Sequence, residues 1–164
     1  FGTGHHPTTH LCVEAIAELL TEGFFLPHRR CLDLGTGSGV LGIACAVSGA
    51  WALGVDNDRI ALHNARTNRG LNHVEQRFAL AVGDLDCLRS GTAFDLILAN
   101  ILAGPLAEMA GPLSGMLAPG GCLVLSGLLH GQEQHLSRVY AQTGLSEPRI
   151  RRKKEWSALI WRKK

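Results

Sequence analysis

A glycine-rich segment at residues 33–42, Asp-Leu-Gly-Thr-Gly-Ser-Gly-Val-Leu-Gly, has residue types that can bind a nucleoside cofactor. Its glycines let the backbone approach a ligand closely, as in the G-x-G-x-x-G loops that bind dinucleotides. Asp33 precedes them, however, and its carboxylate would repel a pyrophosphate. S-adenosylmethionine has no phosphate and carries a cationic ammonium and a cationic sulfonium. Asp33, Gly35 and Gly37 therefore favour S-adenosylmethionine over NAD as the ligand. The alternative interpretation of this segment is a tight turn between a strand and a helix that binds no ligand.

Two more carboxylates follow the next apolar runs of the sequence. Asp56 stands 21 residues after Gly35, where a carboxylate can accept hydrogen bonds from both hydroxyls of a ribose. NAD and S-adenosylmethionine share that ribose, so Asp56 does not separate them. Asp84 could accept a hydrogen bond from an adenine amino group, or it could serve only as a turn residue.

The methyl acceptor is expected beside Asn100, which follows the apolar run 96–99. An asparagine carbonyl can accept from a target N–H and orient the nitrogen for in-line attack, so Asn100 is the predicted catalytic residue. Ile101 and Leu102 come next, whereas Pro-Pro-aromatic follows this asparagine in nitrogen methyltransferases that act on planar amides and bases. An sp³ amine is therefore the favoured acceptor. The alternative for Asn100 is a turn that ends a strand.

The segment 2–10 combines glycine, threonine and histidine. Its histidines are His5, His6 and His10. No carboxylate or cysteine adjoins them, so no metal site is predicted. The glycines of this segment are predicted to form a mobile loop over the ligand. Thr8 or Thr9 is predicted to cap the following helix, where a threonine hydroxyl and the helix N-terminus could bind the cofactor carboxylate.

Strand and helix patterns alternate along the chain. Short apolar runs predict strands at 31–35, 51–55, 77–82, 94–99, 122–126, 146–151 and 156–161. Helical spacing predicts one helix after Thr8 or Thr9 and others at 40–47, 58–69, 102–117 and 132–142. This order predicts an α/β fold with a parallel, doubly wound sheet, whose ligands bind at the carboxyl ends of the strands. The candidates at such ends are Gly35, Asp56, Asp84 and Asn100.

Local signals predict where several of these elements begin and end. Asp58 is predicted to cap the helix at 58–69, and Gly70 is predicted to stop it. Two Gly-Pro pairs, at 104–105 and 111–112, are predicted to interrupt the helix at 102–117. The Pro-Gly-Gly stretch at 119–121 is predicted to be a turn before the next strand.

Charge is distributed unevenly along the 164 residues. Residues 138–164 contain 9 of the 16 basic residues and 2 of the 14 acidic ones, a net charge of about +7 for this segment. Such a basic end can bind an anionic partner such as nucleic acid, or it can be an ordinary solvated face.

With 46% hydrophobic and 18% charged residues, the chain is too apolar for intrinsic disorder and fits one domain.

Five cysteines occur, and no two of them form a C-x-x-C pair. Their odd number and wide spacing argue against a zinc ribbon or a redox pair and fit the reducing cytoplasm. The chain has no stretch of roughly 18 consecutive apolar residues, so no membrane span is predicted.

Several segments are similar to ribosomal protein L11 methyltransferases. They are F-G-T-G-H-H-P-T-T at 1–9, L-D-L-G-T-G-S-G-V-L-G-I-A at 32–44, G-V-D-N-D at 54–58, A-N-I-L-A at 99–103 and E-W at 155–156. The resemblance implies a mostly parallel, seven-stranded, Rossmann-like class I methyltransferase domain that uses S-adenosylmethionine. It also implies methylation of lysine ε-amines and of the N-terminal α-amine on one protein of the large ribosomal subunit. The basic end would then lie near ribosomal RNA.

The same resemblance implies roles for individual residues. Phe1 matches a phenylalanine that covers the adenine, and the other implied cofactor contacts are Thr9, Gly35, Asp56 and Asn100. Residues 1–164 would form the methyltransferase domain, and the N-terminal substrate-recognition domain usual in the family would lie outside this chain. Three alternatives stay open: methylation of another protein lysine or a small-molecule amine, a non-catalytic nucleic-acid-binding module, and an NAD oxidoreductase.

Overall fold

The computed structural model of the chain describes residues 4–24 and 28–164. Within them lie seven strands: β1 (Arg30–Leu34), β2 (Trp51–Asp56), β3 (Phe78–Val82), β4 (Phe94–Asn100), β5 (Leu117–Leu129), β6 (Arg149–Lys153) and β7 (Trp156–Arg162). The helices are α1 (Pro7–Thr21), α2 (Val40–Val47), α3 (Arg59–Leu71), α4 (Ala103–Glu108), α5 (Ala110–Met116) and α6 (Glu133–Ala141), with a 3₁₀ helix at Leu85–Cys87. The strands form one sheet of order β3-β2-β1-β4-β5-β7-β6, in which β7 runs antiparallel to both neighbours and the other pairs are parallel. The predicted α/β fold with a doubly wound, mostly parallel seven-stranded sheet is confirmed.

Helices cover both faces of the sheet because its central strands are apolar on both sides. Along β4, Leu96 and Leu98 face the core under α1 and α2, whereas Ile97 and Ala99 face the core under α4, α5 and α6. All four side chains are fully buried. Two cores therefore fix the sheet from both sides and leave the strand ends available to build a site.

The first helix begins earlier than predicted. α1 starts at Pro7 and is capped by His6, whose Nδ1 lies 3.4 Å from the Thr8 amide nitrogen. The predicted cap at Thr8 or Thr9 is therefore wrong. Proline suits the first helical position because it has no amide hydrogen to leave unpaired. Thr8 and Thr9 instead lie buried in the first turn of α1.

Two other helices differ from prediction in extent. α3 is capped by Asp58, as predicted, but continues through Gly70. The helix predicted at 102–117 is two helices, α4 and α5, which are separated at Met109 rather than at the Gly-Pro pairs. Each pair occupies the second and third positions of its helix, where a proline removes no intrahelical hydrogen bond.

The turn predicted at 119–121 lies inside β5. Phe94 of β4 pairs with Leu117 of β5, and Leu96 pairs with Cys122, so β5 has more residues than β4 between these two pairs. The extra residues loop out as a bulge, in which Gly120 has a φ of 72°. The Pro-Gly-Gly signal therefore marks an irregularity within one long strand rather than the turn before it.

The basic C-terminal segment is held against α1 by ion pairs. Glu14 and Glu18 lie four residues apart on one face of α1, and Glu22, the residue that follows the helix, continues this spacing. Alternate residues of β6 reach the same face. The pairs are Lys153–Glu14 at 2.5 Å, Arg151–Glu18, Arg149–Glu18 at 3.7 Å and Arg149–Glu22 at 3.7 Å. Much of the positive charge noted in the sequence is therefore neutralised within the fold.

Glu133, the first residue of α6, is a buried carboxylate that joins α6 to β6 and β7. It is 6% exposed, accepts from Ser157 Oγ at 2.6 Å and pairs with Arg152 Nε at 2.7 Å. The Arg152 guanidinium, aided by the Ser157 hydroxyl, lowers the pKa of Glu133 from 4.5 to about 2 against the effect of burial. Because the pKa is lower in the folded chain, the ionised carboxylate stabilises the fold above about pH 4.5. This contribution is lost as the pH falls through about 2.

Replacing Glu133 with glutamine is expected to lower the free energy of unfolding by about 1–2 kcal/mol at neutral pH, a modest value because Arg152 is exposed and solvent screens the pair. Urea denaturation at about pH 7 and about pH 3.5 measures the loss, which should shrink at the lower pH. Glu14→Gln alters an exposed pair and serves as the control, with an expected change below about 0.5 kcal/mol. An equal loss for Glu133→Gln at both pH values would contradict this assignment.

Candidate functional site

A cavity of about 560 Å³ opens at the carboxyl ends of β1, β2 and β4. These strands are parallel and adjacent, so the side chains that end them meet at one edge of the sheet. The segment 101–109 forms an apolar wall of the cavity. The predicted site residues that line it are Thr9, Asp33, Gly35, Gly37, Asp56, Asp84 and Asn100. The remaining one, Phe1, lies outside the described residues.

The glycine loop connects β1 to α2 along the cavity. Gly35, Gly37 and Gly39 have positive φ angles of 68°, 55° and 84°. A Cβ on Gly39 would lie 3.1 Å from the Phe78 ring and 3.2 Å from the Ala65 Cβ. Glycine therefore allows both the left-handed backbone and the close packing of this turn against the neighbouring elements.

Asp33 shapes the glycine loop from inside the fold. Its side chain is buried, and Oδ2 accepts from Thr36 Oγ1 at 2.6 Å and from the Gly42 amide at 2.8 Å. Burial raises the pKa of Asp33 to about 6, although both hydrogen bonds act to lower it. Asp33 thus connects the beginning of the loop to the first turn of α2, in addition to lining the cavity.

Asp56 connects the glycine loop to the start of α3. Its Oδ2 accepts from the Gly37 amide at 2.8 Å, and its Oδ1 accepts from the Asp58 amide at 2.9 Å. A carboxylate oxygen can accept more than one hydrogen bond, so both oxygens can still accept from a ligand hydroxyl. The two loop contacts hold the carboxylate in place for that purpose.

Asp84 lies in the turn after β3 and has a local structural role. Its Oδ1 accepts from the Asp86 amide at 2.9 Å and so caps the 3₁₀ helix. The turn role that the sequence allowed is therefore present. Asp84 also lines the cavity, and its contact with an adenine stays a prediction.

Asn100 ends β4 and faces the first turn of α1. Its Nδ2 lies 3.4 Å from Thr9 Oγ1. Its Oδ1 is buried and accepts no hydrogen bond from the described part of the chain. A buried acceptor without a donor costs about 1–3 kcal/mol, so the carboxamide is suited to a donor that arrives with a ligand.

The ionisable side chains that line the cavity determine which class of ligand it can bind. Among the described lining residues, the ionisable side chains are Asp33, Asp56 and Asp84, and none is basic. The cavity therefore favours a cation and disfavours a phosphate. As for metals, no group of three or more His, Cys, Asp or Glu side chains within 4–24 and 28–164 could hold an ion.

Sequence reasoning missed two contributions to the site. Thr36 was not singled out, although its position three residues after Asp33 is a spacing that permits the observed hydrogen bond. The apolar wall was not predicted either: Ile101 and Leu102 were noted only as the residues that follow Asn100, because apolar side chains have no chemistry of their own. The wall consists of Ile101, Leu102, Pro105 and Met109.

Comparison with known proteins decides the family. The profile of the family described as "Ribosomal protein L11 methyltransferase (PrmA)" matches residues 1–164. The chain belongs to this family. Its relatives include ribosomal protein L11 methyltransferases of Syntrophotalea carbinolica, 46% identical over 98% of this chain, and of Ralstonia pickettii, 45% identical over 87%. The chain spans 52% and 45% of the lengths of these two proteins, about half of each.

Solved structures agree with the family and the fold. A ribosomal protein L11 methylase from Lactobacillus delbrueckii subsp. bulgaricus has a TM-score of 0.85 and 30% identity, over 98% of this chain and 81% of its own. Magnesium protoporphyrin IX methyltransferase from Synechocystis PCC 6803 has a TM-score of 0.78 and 19% identity, over 94% of this chain and 79% of its own. At that lower identity the likeness shows the shared fold alone. The resemblance stated from the sequence motifs is confirmed.

Proposed function

We propose that residues 1–164 are the methyltransferase domain of an enzyme that transfers methyl groups from S-adenosylmethionine to ribosomal protein L11. The acceptors are lysine ε-amines and the N-terminal α-amine. The acidic cavity carries this proposal, because Asp33, Asp56 and Asp84 attract a cationic sulfonium cofactor and repel the pyrophosphate of a dinucleotide. Membership of the L11 methyltransferase family supports the choice of protein substrate.

The side chains around the cavity fit the parts of this cofactor. Asp56 and Asp84, which line the cavity, are proposed to accept hydrogen bonds from the ribose hydroxyls and from the adenine amino group. Phe1 is proposed to cover the adenine. Thr9 offers a hydroxyl, and the N-terminus of α1 offers a favourable field, for the carboxylate. The backbone of Gly35 and Gly37 allows close approach. When bound, the cofactor supplies a methyl group on a cationic sulfonium that an amine nitrogen can attack.

Asn100 is proposed to receive the amine. Its buried Oδ1 has no donor among the described residues, and an N–H of the incoming amine would supply one. That hydrogen bond would orient the nitrogen lone pair toward the methyl group. A lysine amine has a pKa near 10.4 in water and must lose a proton before it can attack. Burial beside a cation lowers that pKa, so desolvation within the cavity favours the neutral amine.

The surroundings of the domain are part of the proposal. The substrate-recognition domain is assigned to the half of the relatives' length that this chain does not span. Contact with ribosomal RNA would fall to the basic residues of 138–164 that make no ion pair within the described chain. They are Arg138, Lys154, Arg162, Lys163 and Lys164, of which Arg162 lies over the Phe24 ring and Lys163 donates to two backbone carbonyls. The cytoplasm is proposed as the location, in agreement with five free cysteines. No helix in the described ranges has the length and apolar character needed to cross a membrane.

Calorimetry with S-adenosylmethionine and with NAD tests the choice of cofactor. S-adenosylmethionine should bind this chain with a micromolar dissociation constant, and NAD should give no binding heat. Binding of NAD in place of S-adenosylmethionine would contradict the proposal and support an oxidoreductase.

Transfer of a labelled methyl group to a ribosomal extract, by an enzyme that carries the proposed substrate-recognition domain, tests the choice of methyl acceptor. One labelled protein of the large subunit, identified as L11, is the expected result. Labelling of a different protein would support the alternative amine methyltransferase. Salt-sensitive RNA binding without methyl transfer would support a nucleic-acid-binding module instead.

A further inference from the structure

Gly127 occupies an unusual place in β5, immediately after the residue that pairs with Asn100. Asn100 and Ser126 are register partners across β4 and β5. On the other side of β5, Ser126 pairs with Ala158 and Leu128 pairs with Ser157, so Gly127 is the extra residue of a bulge. Its φ of 88° lies in the left-handed region that glycine adopts readily.

The bulge brings the backbone of Gly127 against the peptide that follows Asn100. A Cβ at this position would lie 2.3 Å from the carbonyl oxygen of Ile101, 2.8 Å from its carbonyl carbon and 3.1 Å from its nitrogen. These are backbone atoms, so no side-chain rotation can relieve the overlap. Ile101 also contacts the glycine loop, because its Cγ2 would lie 2.7 Å from a Cβ on Gly35. Ile101 is therefore held between two glycines from different elements.

We propose that Gly127 is a positioning residue for methyl transfer, because its bare Cα lets the Ile101 peptide lie where Asn100 faces the methyl acceptor. This inference rests on the proposed function and on the role given there to Asn100. A side chain at 127 would push the Ile101 backbone away and carry the Asn100 carboxamide with it. A displacement of about 1 Å in a group that orients a reactant can slow a reaction about 100-fold.

A side chain at position 127 should displace the residues on the cofactor side of the cavity less than those on the acceptor side. The carboxylates of Asp33 and Asp56 are held by hydrogen bonds within the glycine loop and its flanking elements, none of which involves Gly127. Asn100, in contrast, has only a 3.4 Å contact to Thr9 among its described side-chain hydrogen bonds. Its direction therefore depends on the backbone that carries it.

Gly127→Ala tests the proposal, and Gly144→Ala is the matched control. Gly144 has a φ of 89°, but a Cβ there would meet no atom within 4 Å. Both variants therefore bear the same left-handed strain, and only Gly127→Ala displaces Ile101. We expect Gly127→Ala to lower kcat at least about tenfold with the Kd for S-adenosylmethionine changed less than about threefold, and Gly144→Ala to retain the parental kcat.

A second readout is independent of catalysis. The side-chain amide resonance of Asn100 in a nuclear magnetic resonance spectrum should shift in Gly127→Ala and stay in place in Gly144→Ala. Should Gly127→Ala fail to fold, Ile101→Ala loosens the same segment and should move the same resonance and lower kcat. An enzyme that carries the proposed substrate-recognition domain and still transfers no methyl group would contradict the proposed function, whereas the Asn100 resonance of this chain still decides whether Gly127 positions it.

Three results would overturn the positioning role. The first is a Gly127→Ala chain with the parental kcat and an unmoved Asn100 resonance. The second is a Kd for S-adenosylmethionine that rises in proportion to the fall in kcat/KM, which would place the effect on the cofactor side. The third is an equal loss of kcat in Gly144→Ala, which would attribute it to backbone strain.

Discussion

Replacing Asn100 with leucine is expected to lower kcat for methyl transfer about 100- to 1,000-fold, because the amine loses the carboxamide proposed to orient it. The Kd for S-adenosylmethionine should rise less than about tenfold, since Asp33 and Asp56 remain in place. Single-turnover measurements at saturating cofactor give the rate of transfer, and calorimetry gives the Kd. The two numbers together separate a role toward the amine from a role toward the cofactor.

The same substitution should leave the fold at least as stable as the parent. The Oδ1 of Asn100 is buried without a donor among the described residues, and removal of such an acceptor can offset the loss of the 3.4 Å contact to Thr9. Asn68→Leu is a matched control, because Asn68 Nδ2 donates to the Ser38 carbonyl at 2.8 Å. Its Tm should fall, while that of Asn100→Leu should not.

One outcome would contradict the role given to Asn100. If Asn100→Leu keeps the parental kcat at saturating cofactor and loses only affinity, then Asn100 contacts the cofactor and does not orient the amine. If the Tm of Asn100→Leu falls as much as that of Asn68→Leu, then Asn100 has a structural role.

The strands and their carboxyl ends were predictable because their signals are local. The helix predicted at 40–47 coincides with α2, and the strand predicted at 94–99 differs from β4 by one residue. Asp33, Asp56 and Asn100 each follow or end an apolar run, and parallel pairing then suffices to bring them to one edge of the sheet. Local pattern and a general rule of topology thus located the cavity.

Features that depend on contacts between distant segments were not predictable. The pairing of Glu18 with Arg151 joins residues 133 positions apart, so the sequence showed a basic end without its partners. Nor does the sequence show that Gly127 lies against Ile101, because a glycine inside an apolar run looks the same in a bulge and in a regular strand. The cap at His6 was missed because the neighbouring threonines are commoner caps.

The affinity for S-adenosylmethionine is expected to fall about tenfold as the pH is lowered from about 7 to about 5, because Asp33 takes up a proton in that range. Asp33 is 1% exposed, and burial raises its pKa from 3.8 to about 6. The ionised carboxylate attracts a cationic ligand and the neutral acid does not, so the proton competes with the cofactor. The α-amino group of the cofactor stays protonated throughout this range and adds no titration of its own. Calorimetry at a series of pH values measures the dependence.

Asp33→Asn separates the charge from the hydrogen bonds. An amide oxygen at this position can still accept from Thr36 and Gly42, so the glycine loop should keep its shape. The affinity for S-adenosylmethionine should be about tenfold weaker than that of the parent at neutral pH and nearly independent of pH. Asp95→Asn, at the opposite end of β4 in a pair with Arg29, is the control and should keep the parental pH profile.

Stability should change in the opposite direction to affinity. Because the pKa of Asp33 is higher in the folded chain, its contribution to stability is present below 3.8 and is lost as the pH rises through about 6. At neutral pH the cofactor-free Asp33→Asn chain should therefore be at least as stable as the parent, although it binds the cofactor more weakly. A buried carboxylate that costs stability and strengthens binding is expected where the bound ligand is a cation. A variant that loses stability and keeps the parental pH profile would instead make Asp33 a structural support of the loop alone.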